Sequence, residues 1–178
     1  MRIAISGSHL VGKTTLAEAL AEALPQYELF PEPYYLLEEE GHAFAEMPSL
    51  EDFELQLARS LQCVQESRTA AIFDRCPLDL LGYLITHREA DTFHLASWMP
   101  RIQDGIAKLD LIVFVPIEEP DRIAVPRSQV RLRAQVDAVL REIIVDNAYG
   151  LEVDVIEATG TLKSRLQQVV APLRKKSS

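Results

Sequence analysis

The sequence predicts an α/β fold around a mainly parallel sheet. Short β-prone apolar segments alternate with helical patterns along the whole chain. A glycine-rich turn joins the first strand candidate to the first helix candidate. The chain has 178 residues, 48% hydrophobic and 25% charged, which suits one compact core. Residues 1–178 are therefore read as a single domain.

Arg2-Ile3-Ala4-Ile5-Ser6 is β-prone and ends at Gly7, so it reads as a short buried strand. Beyond Gly12, Leu16, Ala19, Leu20 and Ala23 recur at helical spacing until Pro25 stops them. Tyr27 to Phe30 is a second strand, closed by Pro31-Glu32-Pro33, whose prolines oppose ladder pairing and helix at the positions preceding them. Ser49 followed by Asp52 marks a helix start, and Phe53, Leu57, Leu61 and Val64 give that helix an apolar face to about Arg68. Ala70 to Asp74 is the third strand, Asp74-Arg75-Cys76 a turn, and Pro77 the first residue of a helix with Leu80, Leu81 and Leu84.

Asp91 to about Lys108 reads as a helix interrupted at Pro100, and Leu109 to Val115 as the clearest buried strand, ended by Pro116. Pro120 and Pro126 among charges make 118–127 an exposed loop. Val136, Val139, Leu140, Ile143 and Ile144 define an amphipathic helix from Ser128 to Asn147. Leu151 to Ile156 is the fifth strand, and Thr159-Gly160-Thr161 turns the chain into a last helix, whose end at Lys175 and Lys176 is expected to fray.

Composition removes several functions. Cys63 and Cys76 lack metal-ligand spacing and any Cys-x-x-Cys neighbour, so a reducing, cytoplasmic setting is expected. The longest apolar run, Leu111 to Ile117, is far short of the ~20 residues of a membrane span. Acidic residues outnumber basic ones 27 to 18, and a net charge of -9 disfavours a nucleic acid partner while leaving small, locally bound anions open.

Gly7-Ser8-His9-Leu10-Val11-Gly12-Lys13-Thr14 matches Gly-x4-Gly-Lys-Ser/Thr at every fixed position and sits between a strand and a helix, as that motif requires. Glycine lets successive N–H groups close around phosphate oxygens at a helix's positive end. Lys13 is expected to reach the β and γ phosphates of ATP, and the Thr14 hydroxyl to ligate Mg²⁺. Thr15 continues the loop into the helix. Neither it nor the His9 side chain needs a special role.

Glu32, pinned between two prolines at a strand's carboxyl end, is placed to accept a proton from an acceptor hydroxyl. The alternative is a surface glutamate in a turn. Asp74 ends the third strand, where it can hold Mg²⁺ or its waters, and Arg75 can clamp phosphate or substrate; helix capping with a salt bridge is the other reading. Asp79 is most cheaply explained by the helix dipole, and Cys76 as a turn thiol.

With these residues in view, the chain resembles P-loop kinases of the nucleoside and nucleotide kinase group. It is similar to AAA-like ATPases related to nicotinamide riboside kinases and to deoxynucleoside kinases. The resemblance rests on Gly7 to Thr14, on Glu32-Pro33 after the second strand and on Asp74-Arg75 after the third. It implies a three-layer P-loop NTPase fold, with five parallel strands in the order 2-3-1-4-5 flanked by helices. It also implies that Glu32 is a catalytic base, and that a lid at about 118–133 carries phosphate-contacting arginines between strands four and five.

Arg127 and Arg131 are favoured for that task over Arg133, which with Asp137 and Arg141 also fits a solvated helix face. Gly160 marks where relatives pass the backbone beside the adenine. Gln56 and Arg59, three apart on one helix, are candidate acceptor contacts. The expected activity is transfer of the γ-phosphoryl of ATP to a small acceptor, a nucleoside or nucleotide. The rival is an ATPase switch acting through a protein partner, and the sequence leaves the oligomeric state open, a homo-oligomer included.

Overall fold

The structure is a computed structural model that describes residues 1–176 other than Glu46 and Thr69, with side chains to residue 173. The five strands are β1 (Arg2–Ser6), β2 (Glu28–Phe30), β3 (Ala71–Asp74), β4 (Leu111–Phe114) and β5 (Asp154–Glu157). They form one sheet in the order β2-β3-β1-β4-β5, and every pairing is parallel. This is the implied P-loop NTPase order.

The pleat explains the layers, because alternate residues of one strand face opposite sides. Ile3, Ile5, Ile72, Leu111 and Val113 bury one face beneath α1 (Lys13–Ala23) and α7 (Leu162–Lys176). Ala4, Phe73, Ile112 and Phe114 bury the other, beneath α3 (Leu50–Glu66), α4 (Pro77–Thr86), α5 (Leu95–Ile106) and α6 (Arg127–Leu140). Strands buried on both faces read as continuous apolar runs, which is why β4 was the clearest in sequence.

Differences from the sequence reading have local causes. A further helix, α2 (Pro33–Glu39), starts where the prolines suggested only a turn. Pro33 occupies its first position, where a fixed φ and a missing N–H are no handicap. Glu32 is its extended N-terminal cap. Pro100 lies inside α5 rather than breaking it. It is exposed, while Ile102 and Ile106 on the opposite face are buried, and that burial outweighs one lost backbone bond. The helix expected to Asn147 changes at Arg141–Val145 into a π-type turn, and only β5 from Asp154 pairs, not the residues from Leu151. The Ser49–Asp52 capping box forms as read. The Lys175 and Lys176 side chains lie outside the described residues.

Candidate active site

All strands are parallel, so their carboxyl ends open on one edge. That edge carries Ser6 and Gly7 after β1, Glu32 after β2 and Asp74-Arg75 after β3. Gly7 has φ +149°, and a Cβ there would stand 2.4 Å from the Val115 carbonyl oxygen, so no other residue fits the turn. Gly12 has φ +87° and caps the N-terminus of α1.

Within the loop the Lys13 side chain is buried, and its ammonium donates to the Ser8 carbonyl at 2.7 Å. Burial first, then the neighbouring Arg75 charge, pushes its pKa down to about 8, against the pull of Asp79, Glu32 and Asp74. The Ser8 hydroxyl is buried without a partner. Thr14 and Thr15 are exposed at the start of α1.

Arg75 turns the chain from β3 into α4 at φ +109°, a costly conformation for a side-chain-bearing residue. Glu32 holds it there. Arg75 donates to one Glu32 carboxylate oxygen from Nε at 2.8 Å and from Nη2 at 2.7 Å. Burial alone would raise the Glu32 carboxyl, but the Arg75 and Lys13 charges and the Arg75 hydrogen bond outweigh it and hold the pKa below its ordinary value. Glu32 is thus ionised and able to accept a proton. The Arg75 guanidinium also lies 5.7 Å over the Tyr83 ring, which stacks on Phe53 at 5.2 Å.

Asp74 is buried, and its Oδ1 has no hydrogen-bond partner. Burial raises its pKa, and a side-chain hydrogen bond from Thr14 partly counters this. An unpaired carboxylate oxygen beside a threonine hydroxyl is a hard-oxygen pair that suits Mg²⁺, which takes one or two protein oxygens and fills its octahedron with water and phosphate. Among the described residues no group of three or more His, Cys, Asp or Glu could hold a metal ion.

Asp79 is more than a dipole partner. It is fully buried, accepts a short hydrogen bond from the Ser6 hydroxyl, and faces the Gly7 N–H with both oxygens at 3.3 Å. Burial pushes its pKa up to about 6. A carboxylate set among leucines, Leu78 and Leu80, with no adjacent cation, was the available sign of burial. Because its folded pKa is raised, Asp79 contributes more stability below about pH 4 than above 6. The melting-temperature advantage of Asp79→Asn over the wild type is therefore expected to grow as pH rises through about 4 to 6; a pH-independent difference would contradict the buried charge. Cys76, read as a turn thiol, is fully buried, and burial pushes its pKa well up.

Beside the loop lies a cavity of about 190 Å³, lined by Gly12, Thr15, Glu118, Ile123, Gly160 and Arg165 among others. The Gly160 N–H donates to Glu118 at 2.6 Å. The cavity suits a planar base rather than a whole nucleotide.

A sequence profile described as an AAA domain matches residues 2–165. The chain belongs to the AAA domain family. No curated protein matches it by sequence. Among solved structures, the AAA domain is similar to deoxyadenosine kinase from M. mycoides at TM-score 0.67 and 15% identity, covering 99% of this chain and 100% of that one. The NadR protein in complex with NR gives TM-score 0.67 at 16% identity over 98% of this chain and 48% of that one. Shikimate kinase from Aquifex aeolicus gives 0.57 at 15% over 99% and 98%. At such identities these likenesses establish the P-loop kinase fold.

Other residues read from the sequence fall in several places of the AAA domain. Gln56 is buried and donates to the Asp52 carbonyl of its own helix, while Arg59 pairs with Glu40 at 2.9 Å and reaches Cys63 Sγ at 3.6 Å. Arg127 and Arg131 are exposed on the first turns of α6. Arg133, on the same helix, is buried against the phosphate loop. Tyr83 and Arg165 were not found from sequence. Tyr83 shares a helical face with Asp79, four residues earlier, which was a usable signal; Arg165 is remote in sequence and had none.

Proposed function

We propose that this AAA domain is a small-molecule kinase that moves the γ-phosphoryl of ATP to the hydroxyl of a nucleoside, a nucleotide or a similar acceptor. The observation that carries the reading is the ionised Glu32, held by Arg75 at the same sheet edge as Lys13 and the loop's N–H groups. A carboxylate so placed can take the proton of whichever oxygen attacks the γ phosphorus, and the likeness in fold to kinases favours an acceptor hydroxyl over water.

In this reading the loop from Gly7 to Thr14, with Thr15, wraps the phosphates, and Lys13 leaves the Ser8 carbonyl for the β and γ oxygens. The base lies in the cavity by Gly160. Thr14 and Asp74 would hold Mg²⁺, which would supply positive charge against the phosphates. Glu32 takes the proton of the acceptor hydroxyl as that oxygen bonds to the γ phosphorus and ADP departs. Arg75 orients Glu32 and offsets its charge. Within the lid segment 118–133, the stretch carrying Arg127 and Arg131, exposed in the present arrangement, supplies the phosphate-facing arginines, while Glu118, Asp121 and Arg133 hold the segment's ends in place.

Among the described residues no helix is long and apolar enough to cross a membrane. The unpaired, buried Cys63 and Cys76 support a reducing compartment, and we place the protein in the cytoplasm.

The reading is tested by a thermal-shift screen of nucleosides, nucleotides and ribosides with ATP present. A stabilising acceptor supports it, and stabilisation by ATP alone with every acceptor inert favours the switch. Asp74→Asn is expected to raise the Mg²⁺ concentration needed for half-maximal turnover by about tenfold, with ATP binding in excess Mg²⁺ retained. An unchanged Mg²⁺ titration would remove Asp74 from the metal site.

A further inference from the structure

Three successive carbonyls of the phosphate loop are held by arginines. Arg133 takes His9 from Nε at 2.9 Å and Leu10 from Nη2 at 2.9 Å, and Arg165 takes Val11 at 2.6 Å. A peptide whose carbonyl points outward presents its N–H inward, so fixing these carbonyls fixes the direction of the amides that would meet phosphate. Leu10 needs such support, since it sits at φ +56°, which a side-chain-bearing residue does not favour.

Both arginines are themselves anchored by one short loop after β4. Asp121 accepts from Arg133, and Glu118 accepts from Arg165 at 2.8 Å. The arginine side chains are 5% and 9% exposed, too enclosed to sweep over a substrate as a mobile lid residue must. The His9 ring belongs to the same assembly, with Nδ1 2.8 Å from the Tyr83 hydroxyl. Burial and then the charges of Lys13, Arg133 and Arg75 push its pKa down to about 4, so the ring is neutral and adds no repulsion to this cationic cluster.

We propose that Arg133, seconded by Arg165, is a positioning residue that sets the phosphate loop in its anion-binding shape before the nucleotide arrives. The inference rests on the reading of Gly7 to Thr14 as the phosphate site. It differs from the usual task of a lid arginine, because the guanidinium binds the loop's carbonyls from behind. A flat guanidinium spans two adjacent carbonyls, which an ammonium at the same place does not. Arg133→Lys is therefore not a conservative change here.

The test combines ATP titration calorimetry with amide hydrogen exchange on the full chain without nucleotide. Arg133→Lys is expected to weaken ATP binding by about tenfold and to speed exchange in residues 7–14, with the amides of β1 and β3 unchanged. Arg133→Met is expected to do more. Asp121→Asn, which leaves the buried arginine in place, serves if those variants do not fold, and should speed exchange in the same segment by a smaller factor. ATP affinity within twofold of the wild type with loop exchange unchanged would overturn the proposal, as would equal acceleration throughout the sheet. Lys13→Ala is run alongside. If it too leaves ATP affinity intact, the phosphate-site reading fails; if only the Arg133 and Asp121 variants do, the clamp alone fails.

Discussion

Lys13→Ala is expected to lower ATP affinity or turnover by about 10²- to 10³-fold, the scale of losing a buried donor aimed at developing negative charge. Two features of the site lead to that size. The ammonium is buried beside the loop, so its attraction for phosphate is weakly screened. It is already bonded to the Ser8 carbonyl near the start of the loop, so the loop itself holds it.

The pKa of Lys13, pushed down to about 8, adds a second signature. The free protein loses the ammonium charge as pH rises through about 8, so wild-type ATP affinity should fall across that range. In Lys13→Ala this alkaline limb should be missing. The fold is expected to survive, because Leu16, Ala17 and Leu20 and not Lys13 pack α1 against the sheet. A folded variant with unchanged ATP binding would remove the loop from any phosphate site.

Glu32→Gln is expected to keep ATP binding and lower acceptor phosphorylation by about a hundredfold or more, the scale of a positioned general base. Two considerations pull against each other. Phosphoryl transfer has a loose transition state, in which positioning counts for more than proton removal. The carboxylate, however, also holds Arg75 at its strained φ of +109°, and an amide keeps only part of that grip. Losing the charge should therefore cost stability too, by about 1 to 3 kcal/mol, since a buried guanidinium loses its ionic partner. Rates must be compared well below the variant's melting temperature. A drop in melting temperature with turnover unchanged would make Glu32 a structural partner of Arg75 and nothing more.

The central strands were legible because β1, β3 and β4 are short buried runs, and boundary residues such as Gly7 after β1, Pro31 after β2 and Pro116 after β4 cannot continue a strand, whereas the largely exposed β5 was placed three residues early. The order of the sheet was not, since no local pattern says which strand lies beside which; that came from the family resemblance. The phosphate loop was legible because its chemistry is confined to eight consecutive residues. Glu32 and Arg75 could each be picked out, yet their pairing across 43 positions could not. Asp79, Tyr83, Arg133 and Arg165 act through burial and through contacts between elements far apart in the chain. Of these, Arg133 looked like an ordinary solvated helix residue because its spacing from Asp137 and Arg141 suits that role equally well. Its contacts with the His9 and Leu10 carbonyls change its meaning.

The central claim is that an acceptor hydroxyl, not water, receives the phosphoryl group. It is tested most directly by incubating the protein with γ-labelled ATP and the acceptor selected by thermal shift, then following where the label goes. The expected result is stoichiometric transfer of label to that acceptor, ADP release that depends on it, and loss of transfer in Glu32→Gln. Label appearing only as inorganic phosphate, at a rate indifferent to every acceptor and to Glu32→Gln, would contradict the kinase reading and leave the ATPase switch in its place.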